Sequence, residues 1–299
     1  MSKQFGRTQV RVGIAALVVV VGLIAAFALN RGSDRTDWRS GCGSAPTTAA
    51  DEHPAAIADA RKALLAKGND PRLELVVVDL GSCAVQVSWR ADQPQPTASV
   101  VKLLIALDLM DRAGVPSGSE ATAVRAMLSA SDDGVASRLW THDGGPAIVR
   151  RQAGKLGLTH TSPPREAGQW GSTTMSPTDV VTVYRHITAG LTEDRREFLT
   201  EAMESTPENA ADGFDQHFGI PRAFPGADWA VKQGWGSSDD RRVLNTTGLV
   251  RAGSRTFAVA VMATWNLNMD WTTAGTALTT ATAALKSGLT APADHGFLR

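Results

Sequence analysis

Cysteine is almost missing from this chain, with Cys42 and Cys83 the two in 299 residues. So few thiols exclude a disulfide-dense scaffold, a four-cysteine zinc site and an iron–sulfur centre. Net charge is missing as well, because 30 basic residues balance 30 acidic ones. A nucleic-acid partner is not expected, since proteins that bind one usually carry a basic excess that releases phosphate counterions. Histidines are few and scattered: His53, His142, His160, His186, His217 and His295 form no close pair and no HExxH. Neither a metal nor another cofactor is therefore expected. No internal repeat occurs. What is present, 43% hydrophobic and 20% charged residues, is the composition of a globular chain with length for one large core or two lobes.

One long apolar run stands out. Val12 to Leu29 is eighteen residues without a charge, enough to span a bilayer as a helix, and Lys3, Arg7 and Arg11 precede it. It reads as an uncleaved amino-terminal anchor, or as a secretory signal cut near Ala26-Phe27-Ala28; its length favours the anchor. Arg31, Arg35 and Arg39 on the far side leave the charge rule undecided about orientation. A disulfide between Cys42 and Cys83 would require an oxidising compartment; two free thiols are the other reading. Arg39-Ser40-Gly41 is no lipobox, so Cys42 is not expected to carry lipid. The expected order is a cytoplasmic stretch 1–11, a membrane segment 12–30, a flexible Ser/Thr/Gly/Ala spacer 31–50 and a folded domain 51–299. The carboxy-terminal domain would then lie outside the cytoplasm on a single-pass anchor, or be secreted after cleavage.

Within the folded part, Ala55–Ala66 has helical apolar spacing and stops at Gly68. Leu73–Leu80 and Ala84–Trp89 read as a hairpin across Gly81-Ser82-Cys83. Helical spacing then runs from Ser99 through Asp111 and recurs near 119–130, 132–141, 146–156, 176–189 and 193–204. Three strands beginning at Ala230, Arg242 and Arg255 and a helix near 272–287 close the chain. Strands drawn from both ends predict an α/β (α+β) fold: a five-stranded antiparallel sheet lobe (51–98 and 226–299) flanked by terminal helices, with an all-helical lobe (99–225) inserted. A cleft between two such lobes is a common ligand site.

Ser99-Val100-Val101-Lys102 opens the first helix of that block. Residues three apart share a helix face, so the hydroxyl and the amine become neighbours, and the helix amino end favours a developing oxyanion. A lysine shielded from water can lose its proton and activate the serine. Ser131-Asp132-Asp133 follows at a junction of two helical stretches, and Lys232-Gln233-Gly234 lies on the first strand after them. In this order and on these elements, the three resemble S-x-x-K, S-D-N and K-T-G of the class A β-lactamase and penicillin-binding-protein superfamily. The resemblance covers about 51–299. It implies that Ser99 is acylated, Lys102 is its base, Ser131 relays a proton and Lys232 attracts the substrate carboxylate. It implies substrate contacts at Asp133, Gln233, Gly234 and Trp235, with the backbone N–H groups of Ser99 and Trp235 as the oxyanion hole.

The pattern also departs from the family. Asp133 stands where asparagine is usual, placing a negative charge near an anionic substrate, although it can still hold Lys102. Gln233 replaces a hydroxyl residue. No E-x-x-L-N loop occurs, and Glu166 is the one candidate for a deacylating base. An envelope DD-peptidase-like enzyme acting on a D-alanyl cell-wall peptide or a β-lactam is the expected function, ahead of an efficient β-lactamase. A membrane-anchored binding or scaffold protein without activity is the alternative, and the oligomeric state is left open. Trp170 and Trp235 read either as rim or core packing or as lining a cleft and stacking on a sugar or peptide, Trp140, Trp229 and Trp265 as core, and Asn245-Thr246-Thr247 as part of a strand and not a glycosylation site.

Overall fold

Five strands form one antiparallel sheet in the order β2-β1-β7-β6-β5: β1 (Arg72–Asp79), β2 (Val85–Trp89), β5 (Trp229–Ser238), β6 (Arg241–Ala252) and β7 (Arg255–Asn266). The structure, a computed structural model, describes residues 36–43, 53–238 and 241–290. Met1–Asp37 and Trp38–Arg299 separate into two units, and the second contains the sheet. The apolar run Val12–Leu29 lies outside the described residues, and among those described no helix is long and apolar enough to cross a membrane.

The sheet sits in the middle because its strands are apolar on both faces. Leu73, Leu75 and Val77 of β1 point one way, against α1 (Pro54–Leu65) and α9 (Trp271–Ala284); Val76 and Val78 point the other way, toward the helical lobe. Burial on both sides is why Leu73 to Leu80 reads as a nearly continuous hydrophobic run rather than an alternating one. Asp270 caps α9 by accepting from the Thr273 N–H at 3.0 Å, and α10 (Lys286–Thr290) follows.

The helical lobe comprises α2 (Lys102–Ala113), α3 (Gly118–Ser129), α4 (Asp133–His142), α5 (Pro146–Leu156), α6 (Pro177–Arg185) and α7 (Glu193–Glu204). Three local features depart from the sequence expectation. Ser99 lies in a 3-10 turn (Ala98–Val101) before α2, and α6 widens into a π-helical stretch, His186–Gly190. A two-stranded ribbon pairs β3 (Gln95–Pro96) with β4 (Thr174–Met175), elements too short to carry a periodic signal. Phe218 and the short helix α8 (Ile220–Ala223), expected in the helical lobe, pack instead in the core on the α9 side of the sheet.

The expected spacer 31–50 is partly built into the fold. Trp38 is 2% exposed and Cys42 is fully buried, both within the helical-lobe core. Composition suggested a flexible link, but one tryptophan and one covalent bond outweigh it: Cys42 and Cys83 form a disulfide with Cα atoms 5.3 Å apart.

Candidate active site

Ser99 is positioned by a strap tied from two sides. The Thr97 N–H and hydroxyl both donate to the Thr173 carbonyl, at 2.8 and 2.9 Å. From β6, Asn245 Nδ2 donates to the carbonyls of Pro96 and Thr97 at 2.9 and 3.0 Å. Asn245 is fully buried, so that sequon belongs to the strap's anchor. Ala98 holds φ at 45°, in the left-handed region that costs a non-glycine residue energy, and the anchored strap keeps it there. Strand β5 lies so close that a Cβ on Gly234 would come 2.5 Å from the Thr97 carbonyl oxygen and 3.3 Å from the Ser99 nitrogen. Glycine at 234 is thus a steric necessity for β5 to reach Ser99.

Two lysines converge on one hydroxyl. Lys102, first residue of α2 and fully buried, donates from Nζ to Ser131 Oγ at 3.0 Å, to the Ser131 carbonyl at 2.8 Å and to Asp133 Oδ1 at 2.5 Å. Lys232, 1% exposed on β5, donates to the same Ser131 Oγ at 3.0 Å and to the Gln233 carbonyl at 3.2 Å. Ser131 reaches between them because the α3–α4 junction turns sharply there, with φ at 58°, while Asp132 caps α4 by accepting from the Val135 N–H at 3.0 Å. The Trp170 ring covers Lys102, its centroid 4.8 Å from Nζ. Burial pushes the Lys102 ammonium below the ordinary lysine value, with Asp133 pulling it back. Lys232 is pushed much further down, by burial and then by the charge of Lys102. Sharing of one hydroxyl by two buried amines therefore favours a state in which at least one of them is neutral.

The cleft above these groups is narrow, about 110 Å³. Ser99 lines it together with Asp133, Gln169, Trp170, Ser172 and Trp235, and Gly236, Ser237 and Ser238 extend its β5 wall. Sequence reasoning missed Gln169, Ser172, Ser237 and Ser238 as lining residues. Three resemblance-based roles meet a different geometry. Ser99 makes no side-chain hydrogen bond among the described residues, and Lys102 turns to Ser131 and Asp133 instead. Gln233 is 1% exposed and faces away from the cleft: its Nε2 donates to the carbonyls of Gln216 and Phe218 at 3.0 and 2.6 Å. Strand alternation causes this, because Lys232 and Gly234 face the cleft and the residue between them must face the α9 side. Glu166 is exposed, forms no side-chain hydrogen bond or ion pair among the described residues, and does not line the cleft. Of the tryptophans, Trp140 and Trp265 are core, Trp229 is half-buried, and Trp235 stacks on Phe214 with centroids 4.9 Å apart.

An α+β fold with a five-stranded antiparallel sheet and an inserted helical lobe, with a cleft lined by Ser99 and with two buried lysines meeting on Ser131, is β-lactamase-like. The chain belongs to the β-lactamase enzyme family, whose family model matches residues 119–285. That stretch takes in Ser131, Asp133 and Lys232 and begins beyond Ser99 and Lys102. Among solved structures, a class A β-lactamase from Mycobacterium abscessus is 21% identical, with a TM-score of 0.65 over 79% of this chain and 100% of that one. PBP-A is 20% identical, with a TM-score of 0.62 over 80% of this chain and 98% of that one. The curated relative "Putative lipoprotein LppW", from Mycobacterium tuberculosis and Mycobacterium bovis, is 38% identical over 146 residues, 46% of this chain and 46% of the relative. The chain thus spans about half the length of the curated relatives it matches.

Proposed function

We propose that this chain is an envelope serine acyl-transferase or hydrolase of the penicillin-binding type, forming an acyl-enzyme at Ser99. The observation that carries this reading is the convergence of buried Lys102 and Lys232 on Ser131 Oγ, at 3.0 Å each, beside Ser99. Neutral Lys102 would accept the Ser99 proton as Oγ attacks the acyl carbon. The backbone N–H groups of Ser99 and Trp235 would hold the developing oxyanion. As the C–N bond breaks, the proton would pass from Lys102 through Ser131 to the leaving nitrogen. Lys232, the amine that burial pushes further toward its neutral form, would keep the relay oriented through Ser131 and take up positive charge as a substrate carboxylate binds beside it.

The acyl donor fitting this scheme is the D-alanyl end of a cell-wall peptide, or a β-lactam that resembles it. Penicillin G forms an acyl-enzyme with a variant of the structural relative PBP-A. Glu166 lies outside the cleft lining, and Asp133, the one carboxylate in that lining, is held by Lys102 at 2.5 Å; neither is then free to activate a deacylating water, so the adduct should persist. The Cys42–Cys83 bond is consistent with an oxidising compartment, and the run Val12–Leu29 with an amino-terminal membrane anchor. A second reading, a binding module that no longer acylates, is favoured by a Ser99 hydroxyl without a hydrogen-bond partner among the described residues and by the Lys102–Asp133 contact of 2.5 Å. Release of D-alanine from a synthetic D-alanyl-D-alanine peptide, measured for the full chain and for Ser99→Ala, separates the two. Release by the unmodified chain alone supports the enzyme; peptide binding without release in either protein supports the module.

A further inference from the structure

A second and larger cavity, sharing no lining residue with the Ser99 cleft, lies between the sheet and the helical lobe. It measures about 540 Å³ and is enclosed by β1, β2, the end of α5 and the whole of α6. That volume falls within the roughly 300–1,000 Å³ of small-molecule sites. One wall is aliphatic: Val76, Val78 and Val85 from the sheet, with Leu156 and Val181 from the helices.

Arg185 breaks that wall. It is 5% exposed, and its Nε donates to the Cys42 carbonyl at 3.3 Å. Its two terminal nitrogens have no hydrogen bond or ion pair among the described residues, and they are not sealed off within the protein. Burial pushes this guanidinium below its ordinary value. A buried arginine without a counter-ion is costly, and arginines in protein interiors are ordinarily paired. Beside it, His186 Nε2 is buried without a hydrogen-bond partner among the described residues. The other charges lining the cavity are already bonded: Lys155 to Asp111 at 2.6 Å, Asp92 to the Thr178 hydroxyl at 2.8 Å, and Asp179 to the His160 N–H and the Thr161 hydroxyl at 2.8 and 2.6 Å.

We propose that this cavity binds a single-chain amphiphile bearing one carboxylate, a fatty-acid-like molecule, with the carboxylate on Arg185 and the tail along the valine wall. Two parallel N–H donors on a planar guanidinium match a carboxylate in a bidentate pair. Asp92 and Asp179 at the same cavity disfavour a more highly charged head group. The five aliphatic side chains offer the tail a surface that water cannot satisfy.

Photolabelling tests this with the full chain in phosphatidylcholine nanodiscs and a diazirine-bearing dodecanoic acid, the adducts being mapped by peptide mass spectrometry. Labels should fall within 76–92 and 176–190 and be displaced by excess dodecanoate but not by dodecanol. Arg185→Gln should reduce labelling at least ten-fold, and Arg185→Lys, which keeps the charge but loses the paired donors, should reduce it less. Ser88→Trp, which fills the cavity from its half-buried rim without touching Arg185, should reduce labelling equally and keeps the test decisive if the Arg185→Gln chain fails to fold. Labels confined to the apolar run 12–29, equal competition by the alcohol, or labelling unchanged in Ser88→Trp would overturn the proposal. So would labelling that appears only after Ser44–Glu52 are removed, since the chain itself would then be the occupant.

Discussion

Replacing Gly234 by alanine tests how Ser99 is held. The new Cβ would meet the Thr97 carbonyl oxygen at 2.5 Å, against about 3.3 Å for an ordinary carbon–oxygen contact, so roughly 0.8 Å must be found. The carbonyl cannot simply rotate away, because it accepts from the Val100 N–H at 3.1 Å and from Asn245 Nδ2 at 3.0 Å. Val100 Cγ2 at 3.2 Å blocks the other direction. Overpacking of this kind costs about 1–3 kcal/mol, offset by up to about 1 kcal/mol from the stiffer unfolded chain. Urea denaturation should therefore show a net loss of about 1–2 kcal/mol. Acylation by penicillin should slow by about 100-fold, the usual consequence of displacing a reacting group by an ångström. Gly154→Ala in α5 is the control: nothing lies within 4 Å of its added carbon, and alanine in a helix should stabilise by about 0.5–1 kcal/mol. A Gly234→Ala protein with unchanged stability and unchanged acylation would refute the claim that β5 clamps the strap.

The remaining predictions concern stability. Glu74, its side chain fully buried opposite Arg90 Nε at 3.4 Å, is pushed by burial from 4.5 to about 7. The folded state holds this proton more tightly than the unfolded chain, so its contribution is fully present below pH 4.5 and is lost as pH rises through about 7, a fall of about 3 kcal/mol at most. Denaturation of Glu74→Gln across pH 4 to 8 should lack that fall, and an unchanged pH profile would contradict the assignment. Cys42→Ala removes a cross-link between positions 41 apart in sequence, which on chain-entropy grounds costs about 4 kcal/mol. Calorimetry should show a matching drop in Tm, reproduced by reducing the unmodified chain.

Much of this architecture is written locally. The apolar run of β1, the helix stop at Gly68 and the S-x-x-K and K-x-G spacings each need a few residues to be recognised, and all lie on their expected elements except Ser99, which sits in a 3-10 turn just before the helix. Gln233 shows a signal that was present but unused, since strand alternation alone turns it from the cleft once Lys232 faces in. Other features are set by distant contacts. Lys102 points to Ser131 and Asp133 because the α3–α4 junction arrives beside it, 29 and 31 positions along the chain. Gln169 and Ser172 reach the cleft on a loop without periodicity, anchored where β4 pairs with β3. Trp38 looked like part of a spacer because composition cannot show that its ring is buried and its indole N–H donates to Glu204.

The central claim is that Ser99 is a working nucleophile served by the paired lysines. Intact-mass spectrometry of the full chain after incubation with penicillin G, followed by peptide mapping, tests it most directly. A single adduct of the drug's mass, located on Ser99, slow to release and absent from Ser99→Ala, is the result this account predicts. An adduct that persists in Ser99→Ala would contradict it, as would an unmodified chain when a penicillin-labelling control protein in the same tube is acylated.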